Sequence, residues 1–291
     1  MTQPTSRFVV ITGASTGIGA GCAIGCAQQG MTVFAGVRDL RAGEALQAKG
    51  GAAIIPIQLD VTDGESIKRA AKTVGQHVGG TGLGGLVNNA GISIGSPLEV
   101  IPLAQLRKQL EVNVIGQIAV TQAFLPLLRR ARGRIVNMGS IAGRGTIPMM
   151  GPYSASKFAL EALTDALRLE LYPWDIAVSI IEPGAIATPI WEKSLSYASD
   201  IEKEVAAGGK QLYETAARQV KEAVQEASKR AIPVDAVVQA VLHALTARRP
   251  KTRYLVGTDA KIRAIMAKWL PDRMQDWILK KLLKLPGRAQ M

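Results

Sequence analysis

Short apolar segments alternate with longer helical patterns along most of this 291-residue chain, and this alternation restricts its fold more than any other feature. Apolar or β-branched segments predict strands at residues 8–11, 32–37, 53–58, 86–88, 134–138, 177–181 and 254–256. The helical patterns between them lie at residues 17–29, 65–77, 103–128 and 154–172. Apolar strands separated by helices are typical of a parallel sheet covered on both faces. With right-handed crossovers they predict a single α/β domain with a doubly wound, Rossmann-type parallel sheet.

Two segments depart from this alternation. Residues 189–232 are charged and mostly helical in pattern, and we expect them to form a helical lid over a substrate at the carboxyl ends of the strands. Residues 258–291 predict a basic, amphipathic C-terminal helical extension to a main domain of residues 1–257. Such a helix can lie on a membrane surface, but an amphipathic stripe more commonly packs on its own domain or on a partner subunit. We favour the packed arrangement and keep a peripheral membrane contact as the alternative.

Composition and charge narrow the class of partner. The net charge of +12 suits an anionic cofactor, a membrane or nucleic acid, but without a zinc-finger spacing or a basic-aromatic motif we expect no nucleic acid. Cys22 and Cys26 are interpreted as small core residues rather than a redox pair. His77 and His243 lie far from the motifs, and we expect no metal site. The short polar N-terminal segment and the lack of an apolar run of about 20 residues favour a cytoplasmic location.

The segment Thr12-Gly13-Ala14-Ser15-Thr16-Gly17-Ile18-Gly19 follows the first strand and opens the first helix. Glycines at such a turn let a pyrophosphate approach the backbone, where free N–H groups and the helix dipole hold it. The spacing is G-x-x-x-G-x-G rather than the more usual G-x-G-x-x-G. The strand–turn–helix context is what favours a dinucleotide site.

Two polar segments also follow strands. Asp60-Val61 comes after the third strand, and Asn89-Ala90-Gly91 comes after the fourth. Ligands of open α/β sheets bind at the carboxyl ends of strands. Because Asp, Asn and Gly are also ordinary turn formers, either segment alone would indicate only a turn.

The strongest chemical pattern is Tyr153-Ser154-Ala155-Ser156-Lys157. On a helix, Tyr153 and Lys157 share one side because they are four residues apart. A cation about 4 Å away, at an effective dielectric constant of ~20, could lower the pKa of a tyrosine from about 10 to about 7. That value would suit a general acid–base at neutral pH. Ser140, just after the fifth strand, could hydrogen-bond the same substrate oxygen, although each residue alone is more commonly an exposed side chain.

Together these segments resemble the short-chain dehydrogenase/reductase family in its compact branch, and loosely its retinol and hydroxysteroid dehydrogenases. The resemblance covers about residues 7–189, with the motifs in the family's order. It implies an NAD(P)-dependent oxidoreductase acting on CH–OH and C=O groups, with the catalytic residues Asn113, Ser140, Tyr153 and Lys157. The cofactor-binding residues that we expect are Arg38, which follows the second strand, and those that the resemblance implies, namely Gly13, Ser15, Thr16, Gly17, Ile18, Gly19, Asp60, Val61, Asn89, Ala90, Gly91, Tyr153, Lys157, Pro183, Gly184, Ile186 and Thr188.

The resemblance also implies a role for each catalytic residue. Tyr153 is expected to exchange a proton with the substrate oxygen, and Ser140 to orient the substrate carbonyl. Lys157 is expected to hold the nicotinamide ribose and to lower the pKa of Tyr153. Asn113 is expected to support a water leading to Lys157, and Asp60 to meet the adenine ring.

The end of the second strand indicates which nicotinamide is used. Relatives that prefer NAD carry an acidic residue at the position of Val37, which here is followed by Arg38. Arg grips phosphate oxygens bidentately, so Arg38, with help from Arg41, suits the ribose phosphate of NADP. Asp39 could instead turn inward to the ribose. We predict that NADP is preferred and keep NAD as the alternative.

Apolar and aromatic residues near the motifs and in the lid predict a small apolar carbonyl or alcohol substrate. We expect its walls to be Ile141, Ala142, Met149, Met150, Glu182, Ile190, Trp191, Leu195, Tyr197 and Tyr213. Family members usually pair through their two long helices, which implies a homodimer or homotetramer. The alternative function is a non-catalytic, NADP(H)-sensing module on the same fold. The intact set of Ser140, Tyr153 and Lys157 argues against it, because a binding module has no need of these residues.

Overall fold

The computed structural model describes residues 6–204, 207–285 and 287, which contain one seven-stranded sheet. All neighbouring strands are parallel, in the order β3-β2-β1-β4-β5-β6-β7. The strand order reverses between β1 and β4, which confirms the predicted doubly wound, Rossmann-type sheet in a single domain. The strands are β1 (Phe8–Thr12), β2 (Thr32–Val37), β3 (Ile54–Gln58), β4 (Gly85–Asn88), β5 (Arg134–Met138), β6 (Ala177–Pro183) and β7 (Arg253–Val256).

Helices connect the strands and cover both faces of the sheet. Within the described residues they are α1 (Gly17–Gln28), α2 (Leu40–Gly50), α3 (Gly64–Val78), α4 (Leu103–Leu110), α5 (Gly116–Ala131), α6 (Gly151–Glu170), α7 (Ile190–Glu204), α8 (Ala207–Lys229), α9 (Asp235–Thr246), α10 (Thr258–Trp269) and α11 (Asp272–Leu282). Helices α1, α2 and α9 pack on one face, and α3, α5 and α6 pack on the other.

The two faces of the sheet have separate hydrophobic cores because successive strand residues point to opposite sides. In β1, Val9 and Ile11 belong to the core under α1 and α9. Val10, between them, belongs to the core under α3 and α5. The first of these cores also contains Cys22 and Cys26, which are buried free thiols as expected.

Two helical regions differ from the sequence prediction. Helix α2 was missed because its pattern is short and largely polar; Asp39 caps its first turn, and Gly43 packs closely on Pro56 of β3. The pattern at residues 103–128 is two helices, α4 and α5, joined by a π-helical turn at Glu111–Ile115.

The segment Leu103–Ala131 is, by length and composition alone, apolar enough to cross a membrane. The expectation that the chain lacks an apolar run of about 20 residues is therefore wrong when judged by length and composition. Its side chains Val120, Phe124 and Leu128 are fully buried in the core beneath the sheet. A core helix passes the same test, and these contacts are those of a core helix.

Candidate active site

One cleft of about 2320 Å³ lies at the carboxyl ends of the strands, where open α/β sheets bind their ligands. Gly19 and Asn113 are buried and do not contribute to its wall. The other residues predicted for catalysis and cofactor binding all line it: Gly13, Ser15, Thr16, Gly17, Ile18, Arg38, Asp60, Val61, Asn89, Ala90, Gly91, Ser140, Tyr153, Lys157, Pro183, Gly184, Ile186 and Thr188.

The side chain of Thr12 joins the glycine turn to the loop after β4. Its Oγ1 accepts hydrogen bonds from the N–H groups of Asn89 and Ala90, each at 3.0 Å. Nδ2 of Asn89 donates in return to the carbonyl oxygens of Thr12 at 2.9 Å and Gly13 at 3.1 Å. Two segments that the sequence presents as separate turns thus form one continuous rim.

Close backbone contacts require glycine in this turn. Gly13 has a φ of +63°, and a Cβ at this position would lie 2.8 Å from Cα of Ala90. A Cβ at Gly19 would collide with the carbonyl oxygen of Gly13. At the start of α1, all of which the structure describes, the Thr16 side chain caps no N–H group and the first turn holds no acidic residue. These N–H groups are free to meet a pyrophosphate, so the residues present fit a dinucleotide.

The charged residues after β2 are arranged differently from one another. Asp39 accepts a hydrogen bond from the N–H of Arg41 at 3.0 Å, and its carboxylate pairs with the Arg41 guanidinium at 3.1 Å. The Asp39 carboxylate therefore caps α2, and the Arg41 guanidinium is paired with that carboxylate. Arg38 is exposed on the cleft, and no carboxylate in the described part of the chain pairs with it. Arg38 is the cation of this segment that remains available to a ligand.

The turn after β3 is fixed by Asp60. Its Oδ1 accepts hydrogen bonds from the N–H of Thr62 at 2.9 Å and from the Thr62 hydroxyl at 2.8 Å. The half-buried carboxylate and the adjoining Val61 face the same cleft as the glycine turn. This placement suits the predicted contact with the adenine ring.

Tyr153 and Lys157 lie on one side of α6, as the spacing predicts, with Nζ of Lys157 5.7 Å from the centre of the tyrosine ring. The electrostatic prediction is wrong, however. Burial raises the pKa of Tyr153 above its ordinary value, and the hydrogen bond with the Ser140 side chain only opposes that rise. Lys157 does not lower the pKa of Tyr153 because its ammonium group is directed elsewhere and donates to the carbonyl oxygen of Met138 at 2.7 Å.

Lys157 is almost completely buried, at 4% exposure. Burial lowers the pKa of its ammonium group to about 8, and the carboxylate of Glu161, one helical turn later, opposes this change. An ammonium group has three N–H donors, and one of them is used by Met138. The remaining donors can bind a ligand in the cleft that Lys157 lines.

Asn113 lies in the π-helical turn and joins the segment after β4 to α6. Its Nδ2 donates to the carbonyl oxygen of Ile92 at 2.9 Å and to Oγ of Ser156 at 3.0 Å. Its Oδ1 accepts from the N–H of Ile92, also at 2.9 Å. The direct link to α6 thus reaches Ser156, the neighbour of Lys157, and the expected role toward a water stays a prediction.

A partly buried charge network, which the sequence analysis did not predict, connects α6 with β6 and β7. Arg144 forms a bidentate ion pair with Glu182, whose side chain is fully buried. Arg253 lies 3.2 Å from Glu161, 2.6 Å from Asp165 and 3.7 Å from Glu182. Oε1 of Glu161 is buried without a hydrogen-bond partner among the described residues, and burial raises the pKa of Glu161 to about 7. The members come from four separate elements, so no spacing along the chain could predict the network.

Residues of α7 and α8 and of the C-terminal helices α10 and α11 line the other end of the cleft. Glu182, expected as a substrate wall, faces Arg144 instead, so that expectation is wrong. The other expected walls do line the cleft: Ile141, Ala142, Met149, Met150, Ile190, Trp191, Leu195, Tyr197 and Tyr213. The sequence did not assign to this wall the residues of α10 and α11, namely Ile262, Arg263, Met266, Ala267, Gln275, Ile278, Leu279 and Leu282. Their amphipathic spacing was the available signal, but it does not say what the apolar side covers.

A cleft with a dinucleotide cradle at one end and a tyrosine beside a buried lysine at the other can bring a hydride and a proton to one substrate. The class it defines is a nicotinamide-dependent oxidoreductase. The model of the family described as short chain dehydrogenase matches residues 7–199, and the chain belongs to this family. It is accordingly an NAD(P)-dependent oxidoreductase acting on CH–OH and C=O groups.

Three relatives align with almost the whole chain. The NADPH-dependent 3-dehydrocapnine reductase of Ornithobacterium rhinotracheale is 36% identical, over 96% of this chain and 98% of the relative. Retinol dehydrogenase 5 of Mus musculus is 37% identical, over 98% of this chain and 91% of the relative. The 17-beta-hydroxysteroid dehydrogenase type 6 of Homo sapiens is 37% identical, over 97% and 90%. These relatives bear out the resemblance to the retinol and hydroxysteroid dehydrogenases.

Solved structures agree with the fold. A short chain dehydrogenase from Burkholderia cenocepacia in complex with NADP is 28% identical, with a TM-score of 0.71 over 98% of this chain and 100% of that one. A short chain dehydrogenase/reductase from Burkholderia phymatum in complex with NAD has a TM-score of 0.77 at 24% identity, over 99% and 100%. Neither the relatives nor these structures support a non-catalytic sensing module.

Proposed function

We propose that this enzyme transfers a hydride between NADP, in preference to NAD, and an apolar carbonyl compound or secondary alcohol, with Tyr153 as the general acid–base. The observation that carries the proposal is the placement of Tyr153, Ser140 and Lys157 together on the wall of one cleft. The substrate end of that cleft is mostly apolar and aromatic, which suits an apolar compound.

In reduction, a bound nicotinamide supplies the hydride, and in oxidation it accepts one. The phenol of Tyr153 donates its proton to the carbonyl oxygen, and the raised pKa keeps the phenol protonated at neutral pH. Ser140, which already interacts with Tyr153, donates a hydrogen bond to the same oxygen as charge develops on it. The donors of Lys157 that Met138 does not use bind the ribose.

The preference for NADP rests on Arg38. A guanidinium matches the oxygens of a ribose phosphate, and the competing carboxylate of Asp39 is held by Arg41. The NADP bound in one related structure, and the NADPH in the name of one relative, agree with this choice. The NAD bound in another structure of the same fold keeps NAD as the alternative.

The experiment that tests the proposal follows nicotinamide absorbance with a panel of apolar ketones, aldehydes and secondary alcohols. Each compound is tried with NADP(H) and with NAD(H), in the wild-type enzyme and in Tyr153→Phe. We expect turnover with NADP(H) that is lost in the variant. Binding of cofactor without turnover of any compound would contradict the proposed substrate class, and failure to bind either nicotinamide would contradict the cofactor.

We further propose that the enzyme is a homodimer or homotetramer in which α4, α5 and α6 form the contact. Large apolar side chains on these helices and on the turn between α4 and α5 are exposed, among them Ile115 at 53%, Phe158 at 47% and Leu169 at 66%. Light scattering on the purified protein gives the assembly size. Phe158→Lys with Leu169→Lys should yield a monomer, and an unchanged mass would place the contact elsewhere.

For location we propose the cytoplasm, and we keep peripheral contact with an anionic membrane through α10 and α11 as the alternative. Trp269 and Trp277 of these helices are 71% and 60% exposed, and Lys268 and Lys281 lie over their rings. Exposed tryptophans beside lysines suit a lipid interface. The alternative requires that vesicles containing anionic lipid carry the wild-type protein in flotation and not the Trp269→Ser/Trp277→Ser variant. Equal flotation of both proteins would refute the contact.

A further inference from the structure

Helix α10 forms part of the active site because of how it packs. Its residues Ala260 and Ala264 are buried against Ile141, the residue after Ser140. At its N-terminal turn, Asp259 accepts a hydrogen bond from the N–H of Ala185 at 2.8 Å, beside the predicted nicotinamide site. The C-terminal extension therefore contacts both loops that flank the reacting groups.

Arg263 follows Asp259 by one helical turn and lines the same cleft. It is half-buried, and its burial lowers the pKa of the guanidinium, whereas the charge of Asp259 raises it. Among the side chains and backbone groups that the structure describes, no carboxylate lies within ion-pair distance of Arg263 and no acceptor is hydrogen-bonded to it. A guanidinium that is withdrawn from water without acceptors is unfavourable unless an anion meets it.

Other arginines that are partly or fully withdrawn from solvent in the described part of the chain do have partners. Arg144 pairs with Glu182, and Arg253 pairs with Glu161 and Asp165. Arg134 donates to the carbonyl oxygen of Ala244 at 2.9 Å. We have assigned the ribose phosphate of NADP to Arg38, which follows β2 and lines the adenosine side of the cleft. Arg263 is thus a half-buried cation of the cleft wall that forms no ion pair or hydrogen bond with the groups that the structure describes.

Apolar side chains of α10 and α11 line the same cleft as this cation. Met266 and Ala267 extend the cleft wall along α10, and Ile278 and Leu282 continue it on α11. A ligand that satisfies both features has one anionic group for the guanidinium and an aliphatic chain for the remaining wall. Arg is suited to carboxylate, sulfonate or phosphate because its planar donors bind two oxygens at once.

We propose that the substrate of this enzyme is an acidic lipid-like carbonyl compound or alcohol, whose anionic group is bound by Arg263. This inference rests on the proposed hydride transfer and narrows its substrate class. Arg263 is a specificity-determining residue: it contacts the substrate away from the reacting carbon and is not expected to take part in proton or hydride transfer.

The test compares straight-chain oxo acids, with the ketone at increasing distance from the carboxylate, with their methyl esters. In the wild-type enzyme we expect kcat/KM for the best acid to exceed that for its ester by about tenfold or more. Arg263→Met should lower the value for the acid by about that factor and leave the ester within about twofold. Arg263→Lys keeps the charge, so its kcat/KM for the acid should lie between the values of the wild type and Arg263→Met. Lys261 is an exposed residue of the same helix, and Lys261→Met should change kcat/KM for neither the acid nor the ester.

Binding supplies a readout that does not depend on turnover. Dodecanoate is titrated calorimetrically into the enzyme saturated with NADPH, and its affinity should fall about tenfold in Arg263→Met while the affinity for NADPH is unchanged. The inference would be overturned if kcat/KM for the esters equalled that for the acids, or if Arg263→Met lowered both values equally. Either result would leave the proposed reaction standing. If no ketone is reduced but dodecanoate binding still depends on Arg263, the proposed reaction fails and the acid site stands.

Discussion

The two ends of the cleft are built in different ways. The cofactor end consists of strand ends and tight turns, in which neither Gly13 nor Gly19 has room for a Cβ. The substrate end consists of α7, α8, α10 and α11, which reach the cleft with side chains such as Trp191 and Met266. Cofactor recognition thus depends on backbone geometry that tolerates no added atom. Substrate recognition depends on side chains that can be exchanged without disturbing the sheet.

The largest expected effect is at the point where the two ends meet. Tyr153→Phe removes the proton donor and should lower kcat by about 10²- to 10⁴-fold. Because the ring is kept, NADPH affinity measured by fluorescence titration should stay within about twofold of the wild type. If the variant also loses affinity for NADPH, the main role of Tyr153 is to bind the cofactor rather than to transfer a proton.

At the cofactor end, Gly13→Ala should destabilise the fold by about 2–4 kcal/mol, because it forces a positive φ on alanine and a contact with Ala90. The effect is measured as the free energy of unfolding in urea. The matched control is Gly64→Ala, where a Cβ meets no atom within 4 Å. Equal stability of the two variants would contradict the view that this end is specified by its backbone.

The choice of nicotinamide should depend on one side chain. Arg38→Met should raise KM for NADPH by about 10- to 100-fold, the effect of losing a charge-assisted bond of about 1.5–3 kcal/mol. KM for NADH should hardly change. Arg41→Met is the control, because Arg41 is already paired with Asp39. If both variants lose NADPH affinity equally, Arg41 shares the phosphate.

The smallest expected effect is a shift in pH dependence. Reduction needs protonated Lys157, whose pKa is about 8, so the rate should fall as the pH rises through that value. Glu161 raises the pKa of Lys157, so Glu161→Gln should move this fall to lower pH by about half a unit or more. Glu161 itself has a pKa of about 7 and is therefore ionised where Lys157 titrates.

Asp165→Asn is the matched control for that shift. Asp165 also bonds Arg253 and lies on α6, but one turn further from Lys157. If the network serves only to stabilise the fold, the two variants should have the same pH profile. A shift confined to Glu161→Gln identifies Glu161 as a positioning residue for Lys157.

Much of the fold could be predicted because the strands are mostly apolar and alternate with helical patterns along the chain. Helix α2 was missed because a short polar helix has no apolar stripe, and the π-helical turn at Glu111–Ile115 is invisible to periodicity. The cofactor residues could be placed because backbone turns have local sequence signatures.

The substrate end could not be predicted in the same way. The periodicity of α10 identifies an apolar side, but the packing of Ala260 on Ile141 depends on residues far apart in the chain. The direction of the Lys157 ammonium toward Met138, which made the pKa prediction for Tyr153 wrong, is likewise a tertiary contact. Neighbours in space, rather than in sequence, determine these properties.

The hydrogen bond from Ala185 to Asp259 has a consequence for engineering. A Cβ at Gly184 would collide with the same carboxylate, so loop and helix have matched shapes. The C-terminal extension is therefore not an independent cassette. We expect that a chimera that receives a relative's last two helices must also receive the loop at residues 183–189, because otherwise the graft would displace the loop that we predict to border the nicotinamide.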